Sequence, residues 1–315
     1  MPKSRKSQRR NPSTDVDQAG STVASSPVVF PSHLPLLDLI WTHDEGWMRG
    51  SKAMLSTVAS GKKVVVFIHG WGGKAVGTWD EFHKFIRATS TFAQNDILFF
   101  GYPSRKHSTA FCAARFRLFL KDLLLTPALN IIRPTLGPWS QPKNERPTYE
   151  RVLLCAHSMG AVVVRRALVD LEVDSTVAPL LSRIGLLLFA PAHKGSHVPL
   201  LITDGLGLDI LPGARAIAAV LRIYYRSVND LEIGSDALKR LEEDTRARLQ
   251  LRRAQSLGIT HLVASVMHAE HDKVVSQEPF AEDLPFEPVM QKSHTSICRP
   301  TKDYTLPVDH VEGYV

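Results

Sequence analysis

The stretch Arg151-Val152-Leu153-Leu154-Cys155-Ala156-His157-Ser158-Met159-Gly160 decides the fold of this 315-residue chain. Its first half is a continuous apolar run, which is typical of a strand buried on both faces. Residues 161–168 follow with the spacing of a helix. Ala156 and Gly160 stand two residues before and two residues after Ser158. A strand that turns sharply into a helix needs small residues at both positions, because the two backbones nearly touch there.

This pattern is the small-x-Ser-x-Gly form of the nucleophile elbow, with Ala156 in place of the first glycine of G-x-S-x-G. The turn holds its serine in a strained backbone conformation and presents the hydroxyl. The helix that follows aims N–H groups at an oxyanion formed beside the serine. We therefore expect Ser158 to be a catalytic nucleophile. The alternative is an ordinary strand–turn–helix in which Ser158 only caps the helix.

Composition predicts one large domain that folds without disulfides. The chain is 44% hydrophobic, which is enough for the core of a single α/β domain with an inserted segment. Cys112, Cys155 and Cys298 form no C-x-x-C pair. They indicate a reducing compartment, and we expect a cytoplasmic protein. We expect neither a metal nor a cofactor.

Residues 1–26 form a basic leader rich in serine, which we expect to be disordered. They carry five basic and two acidic residues, so they hold +3 of the net charge of +7. The remaining +4 is too weak to predict a nucleic-acid partner. Contact of the leader with an anionic membrane surface or RNA is the alternative.

The sequence predicts neither a secretory signal peptide nor a membrane-spanning helix. No apolar segment follows the basic leader, so we expect no secretory signal peptide. Charged residues within 205–225 argue against a membrane-spanning helix.

Strands alternate with helices through residues 27–315, which we interpret as one domain. Besides the elbow, apolar runs predict strands over 62–68, 96–100, 183–189 and 260–266, and helical spacing covers 78–90 and 110–125. This alternation indicates an α/β fold with a doubly wound, mostly parallel sheet. Residues 198–255 are predicted to be mostly helical. We interpret them as a cap inserted near the carboxyl ends of the strands, where such sheets bind ligands.

A serine nucleophile needs a base and an acid that orients the base. With this type of elbow, the acid and the histidine both follow the serine in the chain. Asp272 comes directly after the strand predicted to end near Val266, and we predict that it is the acid. His294 lies in a polar loop further on, and we predict that it is the base.

Several other side chains compete for these two roles. Glu270 is the nearest rival of Asp272. The more distant acids are Asp170, Asp174, Asp204 and Asp209. His310 is the other histidine beyond His294, whereas His193, His197, His268 and His271 precede the predicted acid and would break the chain order.

Two backbone N–H groups are expected to bind the oxyanion, those of Met159 and Trp71. Met159 follows the serine, and Trp71 lies in the loop His69-Gly70-Trp71-Gly72-Gly73 after a predicted strand. Its glycines allow the backbone to turn inward. The alternative is a flexible turn. A phosphate-binding loop is disfavoured because G-x-x-x-x-G-K-[ST] is absent.

These residues resemble the α/β-hydrolase superfamily, and within it the lipase-like serine esterase branch that includes GPI inositol-deacylase-like proteins. The resemblance is carried by residues 64–73, 152–160, 189–196 and 269–300. It implies an α/β-hydrolase sheet with a helical cap, and hydrolysis of a small-molecule or lipid ester through an acyl-enzyme.

One segment departs from that branch. Residues 189–196 are similar to its Gly-Thr-Pro-His-x-Gly-Ser motif, but Ala190 and Ala192 replace two of its residues. No substrate contact is therefore assigned to His193. An acyl thioesterase and a non-catalytic binding protein of the same fold are the alternative functions. The residues leave open the oligomeric state, the role of 198–255 as a lid, and contact of the cap with a membrane.

Overall fold

The computed structural model describes residues 62–89, 95–125, 148–206, 225–285 and 288–314, together with the backbone of two short strands at 37–39 and 52–56. The predicted disordered leader, residues 1–26, lies outside this part of the chain.

The described residues form one sheet of eight strands. In chain order these are β1 (Leu37–Leu39), β2 (Lys52–Ser56), β3 (Lys63–Ile68), β4 (Asp96–Gly101), β5 (Arg151–His157), β6 (Ile184–Phe189), β7 (Ser265–Met267) and β8 (Leu284–Pro285). Their spatial order is β1-β2-β4-β3-β5-β6-β7-β8. The six strands from β4 to β8 are parallel, whereas β1 and β2 are antiparallel to their neighbours. The predicted mostly parallel sheet is confirmed.

Helices cover both faces of this sheet. They are α1 (Phe82–Ala88), α2 (Thr109–Leu125), α3 (Met159–Leu171), α4 (Val198–Leu206), α5 (Arg226–Asp230), α6 (Asp236–Ala254) and α7 (Leu306–Gly313). Helices α2 and α6 both pack against α3, and α1 packs against α7. Parallel crossovers are right-handed, and the strand order reverses at β3. Helices α2, α3 and α6 therefore lie on one face of the sheet, and α1 lies on the opposite face. The fold is therefore doubly wound.

The core of the sheet follows from its uninterrupted apolar strands. Phe67 in β3 is fully buried, and its ring centroid lies 4.9 Å from that of Trp79, 4.8 Å from Phe82 and 5.0 Å from Phe99. The predicted helix over 78–90 begins only at Phe82, because Trp79 sits in a turn and inserts into this aromatic cluster. This turn brings Thr78 to the site described below.

The predicted strand over 260–266 is mostly wrong, since β7 covers only Ser265–Met267. The backbone before it forms a turn, in which the N–H of Leu262 donates to the carbonyl of Ile259 at 2.8 Å, and side chains bond to part of the rest. The buried guanidinium of Arg165 donates to the carbonyl of Leu262, and Asp283 accepts from the N–H of Ala264 at 2.9 Å. Arg165 and Asp283 are themselves a buried ion pair. A long-range pair of this kind leaves no mark in the local sequence pattern.

The described parts of 198–255 are helical, as predicted, and residues 207–224 lie outside them. Its last helix, α6, packs on α3, where Asp244 pairs with Arg166, so this helix is the crossover between β6 and β7. The cap formed by the rest of this segment stays a prediction. Among the described residues, no helix has the length and hydropathy needed to cross a membrane.

Candidate active site

Ser158 lies at the turn from β5 into α3, in a strained backbone conformation. Its φ is 53° and its ψ is −123°, a combination that costs free energy for a residue other than glycine. The N–H of Ser158 donates to the carbonyl of Phe189 in β6 at 3.0 Å, which fixes the turn. A Cβ at Gly160 would lie 2.5 Å from the carbonyl oxygen of His69. The predicted close approach of the backbones is therefore real.

Three predicted side chains meet in one hydrogen-bonded chain. The Nε2 of His294 lies 2.9 Å from the Oγ of Ser158, and its Nδ1 lies 2.9 Å from the Oδ2 of Asp272. Asp272 accepts with its other oxygen from the N–H groups of Val274 at 2.8 Å and Val275 at 3.2 Å. Because a carboxylate only accepts, Nδ1 of His294 carries the proton, and Nε2 is left to accept from the serine hydroxyl.

Asp272 is held as a carboxylate. Burial opposes its ionisation, but hydrogen bonds from His294 and from two backbone N–H groups outweigh burial and hold the pKa of Asp272 below its ordinary value. The ion is therefore present at neutral pH, where it favours the orientation of His294 described above.

The rival residues lie elsewhere or make other contacts. Glu270 accepts from the N–H of Gln291 at 3.0 Å, and Asp170 and Asp174 pair with Arg166 and Lys121. His193 is buried against Phe280, with 4.3 Å between the ring centroids, and His310 lies on α7. Asp204 lines the cavity at Ser158, whereas Asp209 lies outside the described residues.

Two histidines that sequence reasoning left without a role support the loops of the site. His157 donates from Nε2 to the carbonyl of His294 at 2.7 Å, and burial, followed by the charge of His294, lowers its pKa to about 3. His69 donates from Nδ1 to the carbonyl of Gly70 at 2.7 Å and accepts from the N–H of Tyr102 at 3.2 Å. Burial lowers its pKa to about 4. Both rings are therefore neutral, and each joins two segments of the site.

We expect the buried His69 to make the fold sensitive to acid. An unfolded histidine binds its proton near pH 6.5, whereas folded His69 does so only near pH 4, so the unfolded chain holds more protons between these values. The free energy of unfolding therefore falls as the pH falls through this window. Between about pH 7 and about pH 5, His69 accounts for a loss of about 2 kcal/mol.

Urea unfolding at these two pH values checks this prediction. The variant His69→Gln should lose less stability on acidification than the unmodified protein. His271→Gln is the matched control for the substitution, because the side chain of His271 is exposed. An equal pH dependence for His69→Gln and the unmodified protein would show that His69 is not the group that titrates.

The glycine-rich loop, residues 69–73 after β3, runs beside Ser158. A Cβ at Gly70 would lie 2.8 Å from the Cβ of Ser158, so only a glycine fits there. Among the described residues, no acceptor is bonded to the N–H of Trp71 or of Met159. Both are therefore available donors next to the serine, and their predicted role in an oxyanion hole stays a prediction.

Ser104 and Arg105, which are distant from this loop in the chain, hold it by hydrogen bonds. The N–H of Gly72 donates to Oγ of Ser104 at 3.0 Å. Nη2 of Arg105 donates to the carbonyl of Gly72 at 3.2 Å and to that of Gly205 in α4 at 2.5 Å. Nε1 of Trp71 donates to Ser227 in α5 at 3.1 Å. Sequence reasoning missed these residues because the contacts join segments that are distant in the chain.

A cavity of about 300 Å³ opens onto Ser158 and His294. Its walls are the glycine-rich loop, Leu201 and Asp204 from α4, and Arg299 from the loop after His294. In the described part of the chain, no group of three or more His, Cys, Asp or Glu side chains is placed to hold a metal ion.

The sheet topology and the strained serine at the end of β5 are those of an α/β hydrolase. Residues 51–194 match the model of a family described as "Alpha/beta hydrolase of unknown function (DUF900)". The matched segment contains Ser158 and the glycine-rich loop, but neither Asp272 nor His294. The predicted superfamily is thereby confirmed.

Comparison with curated proteins finds no match. Among solved structures, the chain is similar to the lipase BlEst2 of Bacillus licheniformis, with 14% identity, a TM-score of 0.47, and coverage of 81% of this chain and 93% of that one. Naproxen esterase of Bacillus subtilis gives 10% identity, a TM-score of 0.48, and coverage of 90% and 92%. The monoacylglycerol lipase of Paleococcus ferrophilus gives 14% identity, a TM-score of 0.45, and coverage of 84% of this chain and 98% of that one.

Proposed function

We propose that this protein is a serine hydrolase that cleaves carboxylic esters through an acyl-enzyme. The observation that carries the proposal is the unbroken hydrogen-bonded chain Ser158–His294–Asp272, with 2.9 Å at each link. A buried serine that merely caps a helix has no need of an imidazole on its hydroxyl, nor of a carboxylate behind that imidazole.

Each residue has a defined task in this reaction. As Oγ of Ser158 attacks the ester carbonyl, its proton passes to Nε2 of His294, and Asp272 stabilises the imidazolium that forms. The N–H groups of Trp71 and Met159 stabilise the oxyanion of the tetrahedral intermediate. His294 then returns the proton to the leaving alkoxide, and the alcohol departs. Water, activated by the same imidazole, hydrolyses the acyl-enzyme and restores the serine.

Labelling with a fluorophosphonate probe tests the proposal. The probe should modify the folded protein on the peptide that contains Ser158, as tandem mass spectrometry would identify. Protein denatured before labelling and the variant Ser158→Ala are the controls, and neither should be modified. The folded protein should also hydrolyse short 4-nitrophenyl esters. If it neither reacts with the probe nor hydrolyses any ester of a broad panel, the site is not a hydrolase.

A further inference from the structure

Arg299 presents a fixed positive charge to the cavity beside Ser158. It lies five residues after His294, and its Nε–H donates to the carbonyl of Thr78 at 3.1 Å. The side chain is partly buried, and among its donors Nε alone bonds to a described residue. His157 directly precedes Ser158 in the chain. Burial is the largest cause that lowers its pKa, and the charge of Arg299 also contributes. The guanidinium is thus anchored at Nε in the wall of the cavity.

The rest of the described cavity wall has few large apolar side chains. Five of its residues are glycines, and the apolar side chains among the described lining are those of Trp71 and Leu201. Lys74 is exposed at the same cavity and forms no ion pair with a described residue. Asp204 supplies the opposing negative charge. Among the described lining residues, two cations and one carboxylate give an excess of positive charge.

We propose that the substrate is an ester that carries a second, negatively charged group, which Arg299 binds next to the reacting carbonyl. This inference rests on the proposed hydrolase function. A guanidinium held at Nε keeps one planar pair of N–H donors on its two terminal nitrogens, a geometry that matches the two oxygens of a carboxylate or a phosphate. Lys74 adds a point charge at the open side of the cavity, which favours the entry of the anion.

Two pairs of esters test the inference, one for each side of the ester bond. The first pair places the charge on the acyl group: mono(4-nitrophenyl) glutarate against 4-nitrophenyl pentanoate. The second places it on the alcohol: 4-acetoxybenzoate against its methyl ester. In at least one pair, we expect kcat/KM for the charged ester to exceed that for the neutral ester by about tenfold, the order of one charge-assisted hydrogen bond.

Variants then assign this preference to Arg299. In Arg299→Gln the ratio of kcat/KM within that pair should fall to about one, and Arg299→Lys should retain part of it, because the charge remains but the planar donors are lost. Taking the ratio within each variant cancels any loss of folded protein. Arg240→Gln is the matched control, because Arg240 is exposed on α6 and should leave the ratio unchanged. Inhibition by acetate and by inorganic phosphate shows which anion the guanidinium prefers.

Three results would overturn the inference. Equal kcat/KM within both pairs would show that the cavity does not select for charge, and an unchanged ratio in Arg299→Gln would show that another group does so. In both cases turnover of the neutral esters leaves the proposed hydrolase intact. Absence of turnover of all four esters, together with absence of fluorophosphonate labelling, would instead overturn the proposed function and this inference with it.

Discussion

Replacing Asp272 with asparagine is expected to lower kcat for a short 4-nitrophenyl ester by about 10⁴-fold. One oxygen of Asp272 accepts from the N–H groups of Val274 and Val275, and only an oxygen can accept there. The amide oxygen of the new side chain must therefore take this place, and its NH₂ group then faces Nδ1 of His294. Since Nδ1 would have to accept, the proton moves to Nε2, which can no longer take a proton from Ser158.

Steady-state kinetics and thermal unfolding of Asp272→Asn check this prediction together. We expect the midpoint of unfolding to change far less than the rate, because the side chain keeps its shape and its backbone partners. Asp309→Asn is the matched control, since Asp309 is exposed on α7 and should leave kcat unchanged. A loss of less than about tenfold would mean that Asp272 does not fix the imidazole, since the wrong tautomer alone costs about 10⁴-fold.

Replacing Gly160 with alanine is expected to destabilise the fold by about 3 kcal/mol, near the upper end for overpacked positions. The new Cβ would lie 2.5 Å from the carbonyl oxygen of His69 and 2.6 Å from that of Ile68. Both contacts are with backbone at the end of β3, so no side-chain rotation relieves them. Separating α3 from β3 would also shift Ser158 relative to the glycine-rich loop, and activity should fall with stability.

Chemical unfolding of Gly160→Ala gives the loss of stability directly. Gly258→Ala is the control, because its Cβ would meet only the Cβ of Ser182, at 3.5 Å, which is an ordinary contact. It should change the free energy of unfolding by less than about 0.5 kcal/mol, as surface substitutions usually do. Equal stabilities of the two variants would show that α3 and β3 are not in close contact.

The parts of the site that sequence can predict are those with a local signature or a fixed chain order. The elbow at Ser158 needs small residues at set positions, and these are visible in a single short stretch. Asp272 and His294 follow from the order serine, acid, histidine. The structure brings all three within hydrogen-bonding distance. Long apolar strands such as β3 and β5 are equally clear, because burial on both faces leaves a continuous hydrophobic run.

The parts that sequence could not predict depend on contacts between distant segments. β8 has only two residues, too few to form a pattern. β7 is shorter than predicted because the chain before it turns, and buried Arg165 and Asp283 bond to two of its backbone groups. The donors that fix Gly72 stand in no motif, and the motif around His294 gives no sign that Arg299 lines the cavity. Their roles follow only from where the fold places them.

The contact of Arg105 with two carbonyls joins the glycine-rich loop to the helix at the cavity wall. One guanidinium nitrogen is shared between Gly72, in the loop that carries the Trp71 donor, and Gly205, in α4 at the cavity wall. An outward movement of α4 that widens the entrance must break the second bond or pull on the first. In the proposed reaction, a bulky ester that forces this opening would also displace the loop that carries Trp71, and kcat would fall as well as affinity.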